Sequence, residues 1–380
     1  MRETKTAKLR SALLCCAFLV LPVLLSGCGG AAALGWSAPV IEDGVMYVGS
    51  KAGKLYAVDL NTRQPLWVFP SEGTLAGIYS TPVIRDQVLY FGSYEIATSS
   101  FLIFQNQDIR GRAYAIDVTN GQELWHYPVD ESQESEPFLG PAALGEDLVY
   151  FTSSDGRLYA LDVETGAYRW DFETGEEIWG GATWSDATLY VGSGDKNLYA
   201  LDGATGEVKW SFAVGGAIYC TPLLSEDVLY FGALDNSVYA VDAQSGEKRW
   251  TFETGNWVWA TPAEYEDQLV VASLDQSLYA LNAADGGLRW QFQAGAMIPA
   301  TPVVDDGVLY LVAREAGVYA VDAETGRQLW HFPQEGNVTV LASPAVADGL
   351  VYLNADDGKL YALDSETGGL EWQVAPGEWK

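Results

Sequence analysis

The stretch "LYALDVETGAYRW" runs from Leu158 to Trp170, and "LYALDGATGEVKW" follows from Leu198 to Trp210. Tyr159, Tyr199, Tyr239, Tyr279 and Tyr319 are spaced by forty residues, and Tyr56, Tyr114 and Tyr361 extend the series with longer gaps. Three residues after each Tyr stands Asp59, Asp117, Asp162, Asp202, Asp242, Asn282, Asp322 or Asp364. Eight residues further on come Trp67, Trp125, Trp170, Trp210, Trp250, Trp290, Trp330 and Trp372. A spacing kept through eight copies marks one supersecondary unit repeated along the chain.

One unit, "TPVVDDGVLYLVAREAGVYAVDAETGRQLWHF" from Thr301 to Phe332, separates into four short apolar runs divided by "DDG", "REA" and "ETG". These are strand and turn signals without helical periodicity. Four short strands in each repeat describe the blade of a propeller. The expected fold is an all-β, eight-bladed β-propeller with four antiparallel strands per blade, filling residues 37–380. Each repeat holds its blade intact, so the ring is expected to close by face packing without strand exchange.

The phrase itself reads as a hairpin clamp and an interblade wedge. Asp at the end of the third strand can accept hydrogen bonds from turn amides, Thr can do likewise, and Gly takes positive φ at low cost. Asp162, Gly166 and Trp170, with Asp202, Gly206, Trp210, Asp242, Gly246 and Trp250, are therefore read as scaffold. The first repeat has Arg63 at the Gly position, a cost of about 1 kcal/mol if φ is positive. The large Tyr and Trp rings suit the space between blades. The recurring Thr-Pro pairs, Thr81-Pro82, Thr221-Pro222, Thr261-Pro262 and Thr301-Pro302, mark the innermost strand, where an edge tolerates proline.

The N-terminus carries an export signal. Arg2, Lys5, Lys8 and Arg10 precede an apolar run from Ala12 to Leu25, too short for an ordinary spanning helix. It ends in "LSGC", Leu25 to Cys28, which resembles the lipobox of bacterial lipoproteins. The resemblance implies a signal peptide over residues 1–27, lipidation of Cys28 and a tether over residues 28–36. Gly29 after the cysteine resembles outer-membrane sorting in a two-membrane host; in a single-membrane host the anchor would lie on the outer face of the cell membrane. Cys220 is then the one cysteine outside the leader and anchor, at a position where sister repeats have Ala260 and Ala300, and reads as a small buried residue.

Lys and Arg number 21 against 51 Asp and Glu, a formal charge of -30 that repels phosphate backbones and excludes nucleic acid as a partner. The two histidines, His126 and His331, follow their Trp at equivalent repeat positions and make a poor metal site. Serine-hydrolase, phosphate-loop and dinucleotide motifs are absent.

On "LYALDVETGAYRW", its copies and "TPVVDDGVLY" (Thr301 to Tyr310), the chain resembles the PQQ-like repeat family of β-propellers, over about Ser37 to Trp372. Kelch double glycines and the Gly-His and Trp-Asp pairs of WD40 repeats are absent. With its lipobox, the chain is similar to the lipoprotein branch serving outer-membrane barrel assembly. That implies a non-catalytic, monomeric scaffold docking on an envelope or membrane protein. In that branch a long loop rich in Leu and Arg contacts the partner, whereas "ETGEEIWGGA" (Glu173 to Ala182) is short and lacks Arg, so its docking residues do not transfer. The other branch, quinoprotein dehydrogenases, binds pyrroloquinoline quinone (PQQ) and calcium and carries a vicinal cysteine pair that the propeller region here lacks. No cofactor is expected on the main reading; PQQ and calcium belong to the alternative. A sensor of a small ligand or glycan is a third reading.

The exceptions to the repeat carry the functional candidates. Blade two has about fifteen extra residues within "SYEIATSSFLIFQNQDIRGR", Ser93 to Arg112, read as a loop between its second and third strands. Phe101, Leu102, Ile103 and Phe104 inside it are a candidate partner- or membrane-contacting finger. In a four-stranded meander this finger shares a face with the interblade loops and the start of the first strand. On that face Tyr79, Trp179, Tyr219, Trp257 and Trp259 are candidate recognition aromatics, beside Glu131, Glu134, Glu136, Glu176 and Glu177. "DESQESEP" (Asp130 to Pro137) lacks ordered calcium-ligand spacing.

Overall fold

A computed structural model describes residues 37–50, 53–101, 104–129, 135–333 and 338–375, with only the backbone of residues 95–101 and 104–109. The expected signal peptide, Cys28 and tether lie outside the described residues. The strands form eight four-stranded antiparallel sheets, each running in chain order from one edge to the other. Blades one to eight span Val40–Phe69, Val83–Tyr127, Ala143–Glu173, Thr183–Ala213, Leu223–Glu253, Ala263–Gln293, Val303–Phe332 and Ala345–Val374. This is the eight-bladed propeller expected from the repeat.

Burial explains which apolar run becomes which strand. The second strand of blade five, Val228–Gly232, is buried throughout because neighbouring blades cover both its faces. The outermost strand of blade four, Val208–Ala213, alternates between exposed and half-buried residues. In every blade the register shifts just after the third-strand Ala, as between Ala160 and Leu161. Such a bulge increases strand twist.

The blades are joined by the repeated phrase. The Thr165 amide and hydroxyl both donate to Asp162 Oδ1, at 2.9 and 2.7 Å, closing the turn. Gly166 then has φ +69°, and a Cβ there would lie 2.6 Å from the Trp125 ring of the preceding blade. Gly206 meets Trp170, Gly246 meets Trp210, and Gly368 meets Trp330 in the same way. The indole N–H of Trp210 donates to the Ala243 carbonyl at 3.1 Å, and that of Trp250 to the Ala283 carbonyl at 2.9 Å. Two residues after each of these tryptophans an aromatic ring turns toward the next blade. Phe172 meets Tyr199 edge-on at 5.1 Å and Phe252 meets Tyr279 at 5.5 Å. Such pairs contribute about 0.5–1.5 kcal/mol each beyond their burial.

The first repeat breaks this rule where the ring closes. Arg63 holds φ +58°, and its guanidinium carbon lies 5.7 Å from the centroid of the Trp372 ring. A cation–π contact there offsets the backbone strain. Met46, Val48, Tyr56 and Val58 pack against Tyr352, Leu360 and Ala362, and Asn354 Nδ2 donates to the Gly49 carbonyl at 2.8 Å. Among the described residues the first and last blades therefore meet by face packing, and neither borrows a strand from the other.

Two expectations are corrected. The Thr-Pro pairs precede the innermost strands, which begin at Val83, Leu223, Ala263 and Val303. The Thr221 amide donates to Thr261 Oγ1 of the next blade at 3.1 Å, so this backbone serves the ring rather than the ladder. The blade-two insertion is also not a loop. It lengthens both middle strands, Val88–Phe101 and Phe104–Asp117, which pair without a break from Val88↔Asp117 to Phe101↔Phe104. An insertion matched residue for residue on two adjacent strands keeps their ladder satisfied.

Gly166→Ala, which adds a Cβ in the left-handed region against Trp125, should destabilise the propeller by about 2 kcal/mol or more in urea unfolding. Arg63→Gly should change stability by less than about 1 kcal/mol, because relief of backbone strain and loss of the stacked cation oppose each other.

Candidate functional site

The loops that link successive blades and the turns between second and third strands lie on one face. Bridges Gly77↔Tyr94, Phe138↔Ser153 and Val340↔Ala355 tie the two sets together. A carboxylate four residues before the third-strand Tyr latches them. Asp195 Oδ1 accepts the Asn197 amide at 3.0 Å, while Oδ2 accepts the Gly175 amide of the preceding blade at 2.8 Å and the Tyr199 hydroxyl at 2.7 Å. Asp235 holds Gly215 and Tyr239, and Asp275 holds Gly255 and Tyr279, in the same way. Sequence reasoning missed this latch, although its fixed offset from the Tyr was visible. Burial, and then the hydrogen bond to the carboxylate, push Tyr199 and Tyr239 up to about 12.

At the centre of this face is a cavity of about 220 Å³ lined from all eight blades. Around it the Gly181 amide donates to Thr221 Oγ1 at 2.9 Å, and the Thr221 amide to Thr261 Oγ1 at 3.1 Å. Small residues, among them Gly140, Pro141, Ala260, Ala300, Ala342 and Ser343, share this belt with Leu139 and Leu341. No charged side chain is among the lining residues.

Aromatic rings form one wall. Trp179 stacks on Tyr219 with centroids 4.8 Å apart and planes 19° apart, and Trp259 meets Trp179 edge-on at 5.5 Å. Tyr219 lies 5.4 Å from Trp259 and donates its hydroxyl to Glu177 Oε1 at 2.8 Å. Alternation along the linking segments aims these rings. Ile178, Ile218 and Val258 are fully buried between blades, so the residue that follows each faces the channel. Trp179 Nε1 is buried with no hydrogen-bond partner among the described residues.

Of the sequence candidates, Trp179, Tyr219 and Trp259 come together in this wall. Trp257 does not; it is 36 % exposed, outside the cluster. Tyr79 lines the cavity and stacks on Tyr94 at 5.2 Å, where the long hairpin leaves its blade. Phe101 and Phe104 pair at the end of that hairpin, while Leu102 and Ile103 lie outside the described residues, as do residues 130–134 with Glu131 and Glu134. The Glu136 and Glu176 carbonyls accept Ser153 Oγ and Thr174 Oγ1, at 3.3 and 2.6 Å.

His126 Nδ1 lies 2.6 Å from Glu123 Oε1, and His331 Nε2 lies 2.6 Å from the Ala316 carbonyl oxygen while its ring stacks on Tyr319. These are local contacts on separate blades. Cys220 is buried, accepts the Gly232 amide at 3.4 Å, and is pushed up to about 12 by burial, which leaves it an inert thiol.

Fold and repeat together define a PQQ-like repeat propeller with an aromatic-walled channel mouth. The chain belongs to the family described as outer membrane protein assembly factor BamB, which matches residues 26–178, 154–261 and 255–378. Among solved structures it is similar to BamB from Moraxella catarrhalis, at a TM-score of 0.67 and 18% identity, covering 90% of this chain and 98% of that one. It is also similar to the computationally designed Ika8 protein, at a TM-score of 0.63 and 15% identity over 78% of this chain and 86% of that one. A quinohemoprotein alcohol dehydrogenase of Comamonas testosteroni is 38% identical over 143 residues, 35% of this chain but 19% of that enzyme's length.

The Tyr–Asp latches set an alkaline limit. The unfolded chain releases a tyrosine proton near pH 10, the folded chain only near 12 at Tyr199 and Tyr239, so between these values the unfolded state binds fewer protons. Stability measured against pH should hold up to about 10 and fall between about 10 and 12. Asp195→Asn should weaken that alkaline fall.

Proposed function

We propose that this protein is an exported, lipid-anchored scaffold that holds an envelope protein against its channel-mouth face and takes part in outer-membrane protein assembly. The observation that carries this reading is the family match along nearly the whole chain. The crowding of recognition features on one face supports it. The long hairpin, the aromatic wall and exposed Trp257 share that face, and Ala38, ahead of the first strand, lines the same cavity. With Cys28 acylated, the seven residues Gly29 to Gly35 span at most about 25 Å, which keeps the mouth face close to the membrane. The long hairpin is then the first contact offered to a partner.

The similarity to a quinohemoprotein dehydrogenase motivates a second reading, with PQQ and calcium at the channel mouth. The lining fits these poorly. PQQ is an anionic quinone and calls for Arg or Lys, and calcium calls for several oxygen ligands including carboxylates, whereas hydroxyls, small residues, leucines and aromatic rings line this cavity. Mixing the protein with PQQ and calcium should leave the quinone absorbance unchanged and give no alcohol-dependent dye reduction. A saturable spectral shift with dye reduction would make it an oxidoreductase.

The scaffold is tested by purifying the acylated protein from its own membranes in mild detergent. A parallel variant has residues 96–109 replaced by Asn-Gly, so that Glu95 and Arg110, already paired, flank a two-residue turn. A stoichiometric envelope protein should copurify with the intact chain and be lost from the variant, with the melting temperature unchanged. If neither form brings down a partner, the scaffold reading fails.

A further inference from the structure

The ribbon that leaves blade two carries an open edge. Its strands Val88–Phe101 and Phe104–Asp117 pair without a break as far as Phe101↔Phe104. In an antiparallel pair, alternate residues turn their backbone groups toward the partner strand, and the residues between turn theirs outward. Tyr94 is an outward residue, exchanging both hydrogen bonds with Gly77 at 3.1 and 3.2 Å. Opposite it, Gly111 turns its amide outward to the Ser135 carbonyl at 2.9 Å. The alternation continues along the ladder, so Ile96, Thr98 and Ser100 present N–H and C=O on the outer edge of their strand. The segment that serves Tyr94 follows that edge no further, because the Leu75 amide donates to the Gly53 carbonyl at 2.8 Å. Among the described residues no strand pairs with this edge from residue 95 to 101. Edges of natural sheets are guarded by Lys, Pro or bulges, and this one has none of them, with Glu95 its one charged residue.

We infer that this edge pairs with the same edge of a second copy of this chain. An antiparallel register about a two-fold axis at Thr98 sets Thr98 opposite Thr98, Ile96 opposite Ser100 and Glu95 opposite Phe101. The added strand then ends where Gly77 takes up Tyr94, so it fills the free edge and meets no neighbour. About six backbone hydrogen bonds form, from the three outward residues of each copy. Like charges do not meet, because each Glu95 lies opposite a Phe101. A lone two-stranded ribbon is marginal in water, and this pairing makes it half of a four-stranded sheet. The overlap keeps the two ribbon bases roughly 25 Å apart, beyond the Debye length of about 8 Å at physiological salt, which screens the formal charge of -30 on each copy. The pairing departs from the monomer that the family resemblance implies. It needs no envelope protein, so it stands or falls apart from the scaffold reading.

The test is sedimentation equilibrium of the acylated full chain in a density-matched mild detergent. A dimer should accumulate with concentration up to about 100 μM. Thr98→Pro removes an outward amide and leaves the bonds within the ribbon intact, so it should weaken dimerisation about tenfold or more with the melting temperature unchanged. Should Thr98→Pro melt early, Thr98→Lys, which guards the edge with a charge, decides. The register is read by an ethane-bridged bis-methanethiosulfonate, a short thiol crosslinker. It should join two copies of Thr98→Cys, whose Cα atoms lie about 5.5 Å apart in a hydrogen-bonded pair. It should not join two copies of Ser100→Cys, roughly 13 Å apart in this register. Cys220 is buried and stays out of the reaction. A monomer throughout the concentration range overturns the inference, as does a dimer indifferent to both Thr98 substitutions or equal crosslinking at residues 98 and 100. A single copy bound to an envelope protein also overturns it, while upholding the scaffold reading.

Discussion

The propeller depends on a tryptophan of one blade lying flat on a glycine of the next. In the described interfaces a Cβ at that glycine would fall within 3 Å of the indole ring, so the approach exists only because hydrogen takes its place. The same glycine has positive φ, which the adjoining Asp–Thr turn enforces. Turn chemistry inside a blade and packing between blades are thus one constraint. Repeating it around the ring gives a structure in which each blade contacts its neighbours alone, so stability accumulates from interface terms.

Where the constraint is relaxed, the exception is informative. Arg63 takes the glycine position at the ring closure, and Trp372 receives a guanidinium instead of a bare backbone. Trp170 is the other departure. Its Nε1 is buried without a partner among the described residues, while the Gly203 carbonyl, at the position used by its sister tryptophans, accepts the Tyr150 hydroxyl at 2.9 Å. Neither exception disturbs the mouth face. That face is built on carboxylate latches and bridges between loops, and it leaves the linking segments free to differ. Blades four, five and six place Trp179, Tyr219 and Trp259 there, while the corresponding position in blade seven is Pro299.

The long hairpin shows how a scaffold gains a feature without losing its own geometry. Its two strands continue the ladder of blade two beyond the other blades, and Tyr79 and Tyr94 stack where it departs. From sequence the insertion reads as a loop, since "SYEIATSSFLIFQNQDIRGR" has weak alternation and many polar residues. The pairing partner that makes it a ribbon is the insertion itself, folded back. Alternation cannot report that, because a two-stranded ribbon outside the core has no buried face to impose it.

The blade count, the strand count per blade, the turn clamp and the aromatic wedge were legible from the amino-acid sequence alone. They rest on local spacing repeated many times, and local spacing is what a chain carries in its own order. The candidate rim aromatics were also legible as residue types. Tertiary structure decided which of them meet. Trp257 and Trp259 are two residues apart, yet only Trp259 joins Trp179 and Tyr219, which come from linkers about forty and eighty residues earlier. The cavity, with no charged side chain in its lining, and the amide-to-threonine hydrogen bonds beside it arise only when eight distant segments are brought around one axis. No spacing along the chain encodes that convergence, because it is a property of the closed ring.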